Sequence, residues 1–266
     1  MWFPWFASVP GIGRYIAQDL AQRNARVILA CRSEERGRRA EREIRQRTGN
    51  GNVHLRILDT SSMESVRKFA ERIRQEEKQL HILVNNAGAS GLRPSVTPEG
   101  LELTFATNHL GPFLLTNLLL GLLKESASAR VINVSSMNHR RGQMVLRQLQ
   151  GEDLGNPQQD QLYNNSKLMN ILFTRQLSCQ LRHTGVTVNA VHPGVVMTEA
   201  MRYYGLHMRI IFNLIGFFFF KVRGWERFPV ELAPGPVDPC CLKSTAEELS
   251  FCVDFHLRRN PVTFCL

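Results

Sequence analysis

Short apolar segments alternate with stretches of helical spacing along this chain, and that alternation constrains the fold more than any other feature. Residues 25–30, 53–58, 80–84, 130–134 and 186–191 read as strands rich in β-branched and aliphatic side chains. Residues 12–23, 34–48, 62–78, 101–123 and 163–183 carry apolar residues at helical intervals. Strands that alternate with helices in this way predict a doubly wound α/β domain, a parallel sheet with helices on both faces. Ligands of such a sheet sit beyond the carboxyl ends of its strands. A chain of 266 residues suffices for one domain of this kind with a sizeable core.

Charge and cysteine usage narrow the functional classes. The formal net charge is +10, which suits nucleic acid, an anionic membrane surface or an anionic cofactor. No nucleic-acid motif accompanies it. The densest run, residues 32–47, mixes seven Arg with four Glu and reads as a solvated helix face. Six Cys, at positions 31, 179, 240, 241, 252 and 265, show no zinc-site spacing, so no metal is expected. With no signal peptide, reduced thiols in a cytosol-facing protein are expected. The longest apolar run, residues 210–220, has eleven residues including Asn213, too few to span a bilayer. Between Arg209 and Lys221 it suits either a membrane interface or a buried, substrate-covering helix.

One constellation carries acid–base chemistry. Tyr163 and Lys167, four apart, share one helix face. A phenol pKa near 10 is too high for proton transfer at neutral pH, and an ammonium one turn away favours the phenolate. Ser135-Ser136, at the end of an apolar strand, can hold a substrate oxygen beside the phenol. Gly11-Ile12-Gly13 opens a helix whose exposed amides can hold a phosphate, or forms a simple turn. Arg32 stands where an acidic residue would grip the ribose of NAD, and a cation there suits the 2′-phosphate of NADP. Asp59 can meet an adenine or serve as a helix cap, in competition with Thr60, Ser61 and Ser62. Asn85-Asn86-Ala87-Gly88 makes a turn with structural and cofactor roles that the sequence does not separate. Asn108, inside an apolar helix pattern, needs partners, through a water-mediated relay to Lys167 or as a satisfied structural amide. His109 reads as packing or surface rather than as a base. Pro193-Gly194 can close over a nicotinamide, with Thr198 bonding its carboxamide or a phosphate, or can form an ordinary turn.

In order and spacing, these motifs resemble the short-chain dehydrogenase/reductase family, over roughly four-fifths of the chain from Gly11 to Lys221. Ala30-Cys31-Arg32, Asn133-Val-Ser-Ser136 and Val191-His-Pro-Gly-Val195 look like its retinol dehydrogenase branch, as do the stretches at residues 108–116 and 166–174. The resemblance implies a Rossmann-type fold and hydride transfer between NADP(H) and a lipophilic alcohol or aldehyde such as retinol or retinal. It implies that Tyr163 is the general acid or base, that Lys167 lowers its pKa and binds the nicotinamide ribose, and that Ser136 orients the substrate oxygen. By the same resemblance Asn108 holds the relay water and Arg32 reads the 2′-phosphate. Gly11, Ile12, Gly13, Asp59, Asn86, Ala87, Gly88, Pro193, Gly194 and Thr198 would line the cofactor. The expected location is the cytoplasm or the cytosolic face of the endoplasmic reticulum, with interfacial membrane contact through residues 210–220 and a homodimer as the expected assemblies.

The ends depart from the family pattern. Counting back from Gly13, the family's Thr-Gly falls on Phe6-Ala7, and residues 1–10 hold two Pro and no clean strand. The first and last strands are therefore expected to be incomplete, leaving two strand edges exposed at the sheet centre. Residues 1–221 form the expected NADP-binding domain. Residues 222–266, with five Pro and four of the six Cys, form a non-matching, poorly ordered tail, such as an altered splice junction near Lys221 would produce. Two competing readings follow: an inactive variant that keeps catalytic residues without a stable cofactor site, and a non-enzymatic interaction module. Cofactor binding separates the first from an enzyme. Partner capture without cofactor binding marks the second.

Overall fold

The computed structural model describes residues 11–126, 128–152, 159–193 and 263–265. Among them the sheet has six parallel strands in the order β2-β1-β6-β3-β4-β5. The strands are β1 (Arg26–Cys31), β2 (Val53–Ile57), β3 (Ile82–Asn85), β4 (Arg130–Val134), β5 (Thr187–Val191) and β6 (Thr263–Cys265). The first five lie within a residue or two of the segments expected from the sequence.

Helices cover both faces. Side chains alternate across each strand, so Val27 and Leu29 join one core and Ile28 the other. On the first face α1 (Ile12–Gln22) and α2 (Glu34–Thr48) contribute Ala17, Leu20 and Ile44. On the second, α3 (Met63–Glu76), α5 (Gly111–Glu125) and α7 (Gln159–Gln180), the last preceded by the short α6 (Leu146–Leu149), contribute Ile73, Leu119 and Leu177. Each fully buried Leu or Ile contributes about 1.5–3 kcal/mol relative to exposure, and two such layers leave the strands apolar on both sides. The Arg-rich run is the solvated side of α2, where Arg39 pairs with Glu43 and Arg38 with Glu34 across single turns. Ser33 caps α2, and Ser62, one of the competitors named above, caps α3.

The centre of the sheet departs from expectation. β6 pairs with β1 through Arg26↔Thr263, Val27↔Phe264 and Ile28↔Cys265, and with β3 through Ile82↔Phe264 and Leu83↔Cys265. Three residues from the segment assigned to a tail outside the fold thus lie between the two strands whose edges were expected to be bare. The physical reason is that rows of unpaired N–H and C=O groups on β1 and β3 bond any extended segment that reaches them. The remainder of residues 222–266, and residues 1–10, lie outside the described residues.

A second departure shapes the site. The helix expected over 101–123 is broken into α4 (Leu103–Phe105), a π-helical turn (Ala106–Leu110) and α5. Pro112 has no N–H to offer the carbonyl of Asn108, so the regular ladder fails there. The Gly111 N–H reaches back to the Ala106 carbonyl, the wider spacing of a π-turn. Gly111 is also pressed against the turn after β2, where a Cβ would lie 2.0 Å from the Thr60 carbonyl oxygen. The buried Glu102 carboxylate starts this segment by accepting the Thr104 and Phe105 N–H groups at 2.8 and 2.6 Å, and burial raises its pKa.

Candidate active site

The strand ends and α7 bring Tyr163, Lys167 and Ser136 together. Tyr163 and Lys167 are one turn apart on α7, and Lys167 Nζ lies 5.6 Å from the Tyr163 ring centroid. Lys167 is buried and donates from Nζ to the Val134 carbonyl at 2.9 Å, which ties α7 to the end of β4. Ser135, the less expected substrate contact of the serine pair, is spent on the scaffold: its hydroxyl donates to the Lys167 carbonyl at 2.9 Å. Ser136 begins a 3₁₀ turn (Met137–Arg141), accepts the Asn138 N–H at 3.3 Å, and lies beside the Tyr163 phenol.

Burial dominates the electrostatics. It lowers the Lys167 pKa to about 8. It also raises the Tyr163 phenol above its ordinary value, with the neighbouring Ser136 hydroxyl acting in the opposite direction. The direction for Tyr163 is opposite to the depression expected from the lysine one turn away. Burial of the phenol, rather than the ammonium, sets it.

Asn108 is a clasp. Its Oδ1 accepts the Ala89 N–H at 2.8 Å, and its Nδ2 donates to the Ala89 carbonyl at 2.9 Å and to Ser166 Oγ at 3.1 Å. Of the two options left open by the sequence, the satisfied structural amide describes this side chain. Gly88 lies next to the clasp, so a Cβ there would meet Lys167 Nζ at 3.3 Å and Asn108 Oδ1 at 3.4 Å. A buried amide ladder runs behind it. Asn85 and Asn133 face each other in register across β3 and β4, and Asn85 Nδ2 donates to Asn133 Oδ1 at 2.8 Å and to Thr116 at 2.9 Å. Asn133 Nδ2 in turn donates to Thr174 at 2.8 Å. From the sequence Asn85 is read only as part of a turn, and Thr116, Asn133, Ser166, Asn170 and Thr174 only within stretches that carry the family resemblance, so the ladder they form is a finding of the structure. For Ser166, Asn170 and Thr174 the signal is polar side chains four apart on the helix that carries Tyr163.

The expected cofactor residues lie at the carboxyl ends of the strands. Gly11 precedes α1 in extended conformation, and among the described residues no side chain caps the helix start, where the first N–H groups lie outside the regular helical ladder. Gly13 permits the close approach of α1 to the turn after β3: a Cβ there would meet Asn86 Nδ2 at 2.6 Å. The Arg32 side chain is about half exposed and its guanidinium is 4.0 Å from Asp59. Asp59 folds its own turn by accepting the Ser61 N–H and hydroxyl at 2.9 and 2.6 Å. Ala87 and Gly88 are exposed beside this edge, and Pro193 ends the stretch after β5. Gly194, Thr198 and residues 210–220 lie outside the described residues. Among the described residues no His, Cys, Asp and Glu cluster could hold a metal, and no helix is long and apolar enough to cross a membrane.

Comparison with known proteins agrees with this geometry. A family model described as short chain dehydrogenase matches residues 7–208. Retinol dehydrogenase 11 of Mus musculus is 48% identical over 211 residues, which cover 79% of this chain and 66% of that protein. Retinol dehydrogenase 12 of Bos taurus is 50% identical over 193 residues, 73% of this chain and 60% of that protein. The chain therefore spans somewhat less than two thirds of the length of these relatives. A solved structure, the Pseudomonas aeruginosa RhlG/NADP active-site complex, superposes with a TM-score of 0.57 at 29% identity, covering 73% of this chain and 72% of that one.

Proposed function

Because the chain belongs to the short-chain dehydrogenase family, we propose that it is an oxidoreductase that moves a hydride between NADP(H) and a small lipophilic alcohol or aldehyde, with retinol and retinal the first candidates. The observation that carries the reading is the Tyr163 phenol beside Ser136, with the buried Lys167 one turn away on α7 and its Nζ 5.6 Å from the phenol ring. The names of the relatives and of the solved NADP complex support the substrate class and the cofactor.

The residues present fit a nicotinamide dinucleotide. The N–H groups at the start of α1 suit its pyrophosphate, and the half-exposed Arg32 suits a 2′-phosphate. Asp59 suits the adenine, and Asn86, Ala87 and Gly88 the ribose edge. When bound, the dinucleotide supplies or accepts the hydride. In reduction Tyr163 gives its phenolic proton to the substrate oxygen, while Ser136 orients that oxygen. The ammonium of Lys167 then stabilises the phenolate left behind, and oxidation runs the same proton path in reverse. Lys167, with a pKa of about 8, is mostly charged at neutral pH and so can take this role. This reading places the chain in the cytoplasm or on the cytosolic face of the endoplasmic reticulum.

A second reading, a chain that keeps these side chains without turnover, draws support from the three-residue strand at the sheet centre. Thermal unfolding with and without saturating NADPH separates the two. A ligand that binds only the folded state raises its apparent stability, so a cooperative transition that rises with NADPH, together with NADPH-dependent retinal reduction, supports the oxidoreductase. A transition indifferent to NADPH supports the inactive variant.

A further inference from the structure

The break at Asn108 removes the regular helical partner of its carbonyl. Pro112, four residues on, has no N–H to give it. Asn170 of α7 takes that place: its Nδ2 donates to the Asn108 carbonyl at 3.1 Å. The other atom of the same carboxamide, Oδ1, lies 2.9 Å from His109 Nδ1.

This pairing determines a tautomer. With Nδ2 committed to a carbonyl, Oδ1 faces the imidazole, and the nitrogen opposite it must carry the hydrogen. The ring is held among aromatic side chains, with centroids 5.7 Å from Phe105, 6.0 Å from Phe113 and 6.2 Å, edge-on, from Phe173. Burial there holds the His109 pKa below its ordinary value, so near neutral pH the ring has one N–H to spend.

We propose that His109 and Asn170 form a positioning pair that fixes the main chain of Asn108, and through it the clasp that holds Ala89 beside Gly88 and Lys167. The proposal rests on the oxidoreductase reading above. Neither residue is assigned contact with substrate or cofactor; each acts through Asn108. Ser166 and Asn170, one turn apart on α7, hold the two ends of Asn108, side chain and carbonyl respectively. A slack carbonyl in the π-turn would let the Asn108 carboxamide drift from Ala89, and with it the loop that packs on Lys167.

Two substitutions separate the hydrogen bond from the ring. His109→Phe keeps an aromatic ring in the cage and removes the N–H. His109→Asn keeps an N–H close to the Nδ1 position and removes the ring. With retinal and NADPH as probes, His109→Phe should lower kcat about tenfold while leaving the KM for NADPH within about threefold, and His109→Asn should recover most of the lost kcat. Nitrogen NMR of the wild-type histidine rings should show His109 neutral with hydrogen on Nδ1. Wild-type turnover with an unaltered kcat in His109→Phe overturns the proposal alone, as does a ring nitrogen Nδ1 without hydrogen. A kcat loss matched by equal losses in unfolding temperature and NADPH affinity assigns the ring to packing and also overturns it. Absence of turnover in the wild type removes the oxidoreductase reading, and this proposal with it.

Discussion

Lys167 Nζ donates to the Val134 carbonyl at 2.9 Å, so the side chain that would stabilise a phenolate is also a tie between α7 and β4. The tie is made out of water, and burial lowers the lysine pKa from the ordinary 10.5 to about 8. Between those values the unfolded chain binds a proton that the folded chain has released, so the stability linked to this group rises with pH across that window. Below it both states hold the proton and the fold carries the full cost of a buried charge, about 3 kcal/mol for a shift of this size. Wild type should therefore gain stability relative to Lys167→Met between about pH 8 and about pH 10 in urea unfolding. A difference that stays flat over that range would show that Lys167 is hydrated.

Gly111→Ala should be severely destabilising. The added methyl would meet a backbone oxygen at 2.0 Å, and neither α5 nor the turn at Thr60 can yield without breaking the second core. Overpacking of this kind costs about 1–3 kcal/mol or more. The check is the denaturation midpoint, and an unchanged midpoint would mean that α5 is not seated on Thr60.

Much of this was legible in the sequence, for physical reasons. The strands are read from β-branched runs because both faces of the sheet are covered, and the Tyr163–Lys167 pair is read from helical spacing alone. The break at residues 106–110 was not read, although Pro112 and Gly111 both signal it, because the apolar spacing of Leu103 to Leu123 continues through the π-turn. The direction of the Tyr163 pKa was missed because burial, a tertiary property, outweighs a neighbour that sequence can see. The strand at Thr263–Cys265 was hidden for a different reason. Three residues carry no periodicity, and their place is set by the unpaired edges of β1 and β3.

That central strand is open to test. Phe264 stands between Val27 and Ile82 in register, so Phe264→Pro removes an N–H from a strand bonded on both sides. The expected result is an unfolding temperature several degrees lower, about 2–8 °C for each kcal/mol lost. Unfolding identical to wild type would place the strand's contribution at nil.

Arg32 is half exposed and only loosely engaged by Asp59, at 4.0 Å, so its guanidinium is free to turn towards a phosphate. Arg32→Asp should shift the preference from NADPH towards NADH, as read from the ratio of kcat/KM for the two. An unchanged ratio would remove the contact with the 2′-phosphate.

The central claim is that the Tyr163 phenol is the proton donor in a hydride-transfer reaction. The direct measurement is NADPH oxidation in the presence of retinal by wild type and by Tyr163→Phe, each shown to be folded and stabilised by NADPH. The account predicts turnover by the wild type and its abolition in the variant, with NADPH affinity nearly unchanged. Equal turnover by both proteins would contradict it.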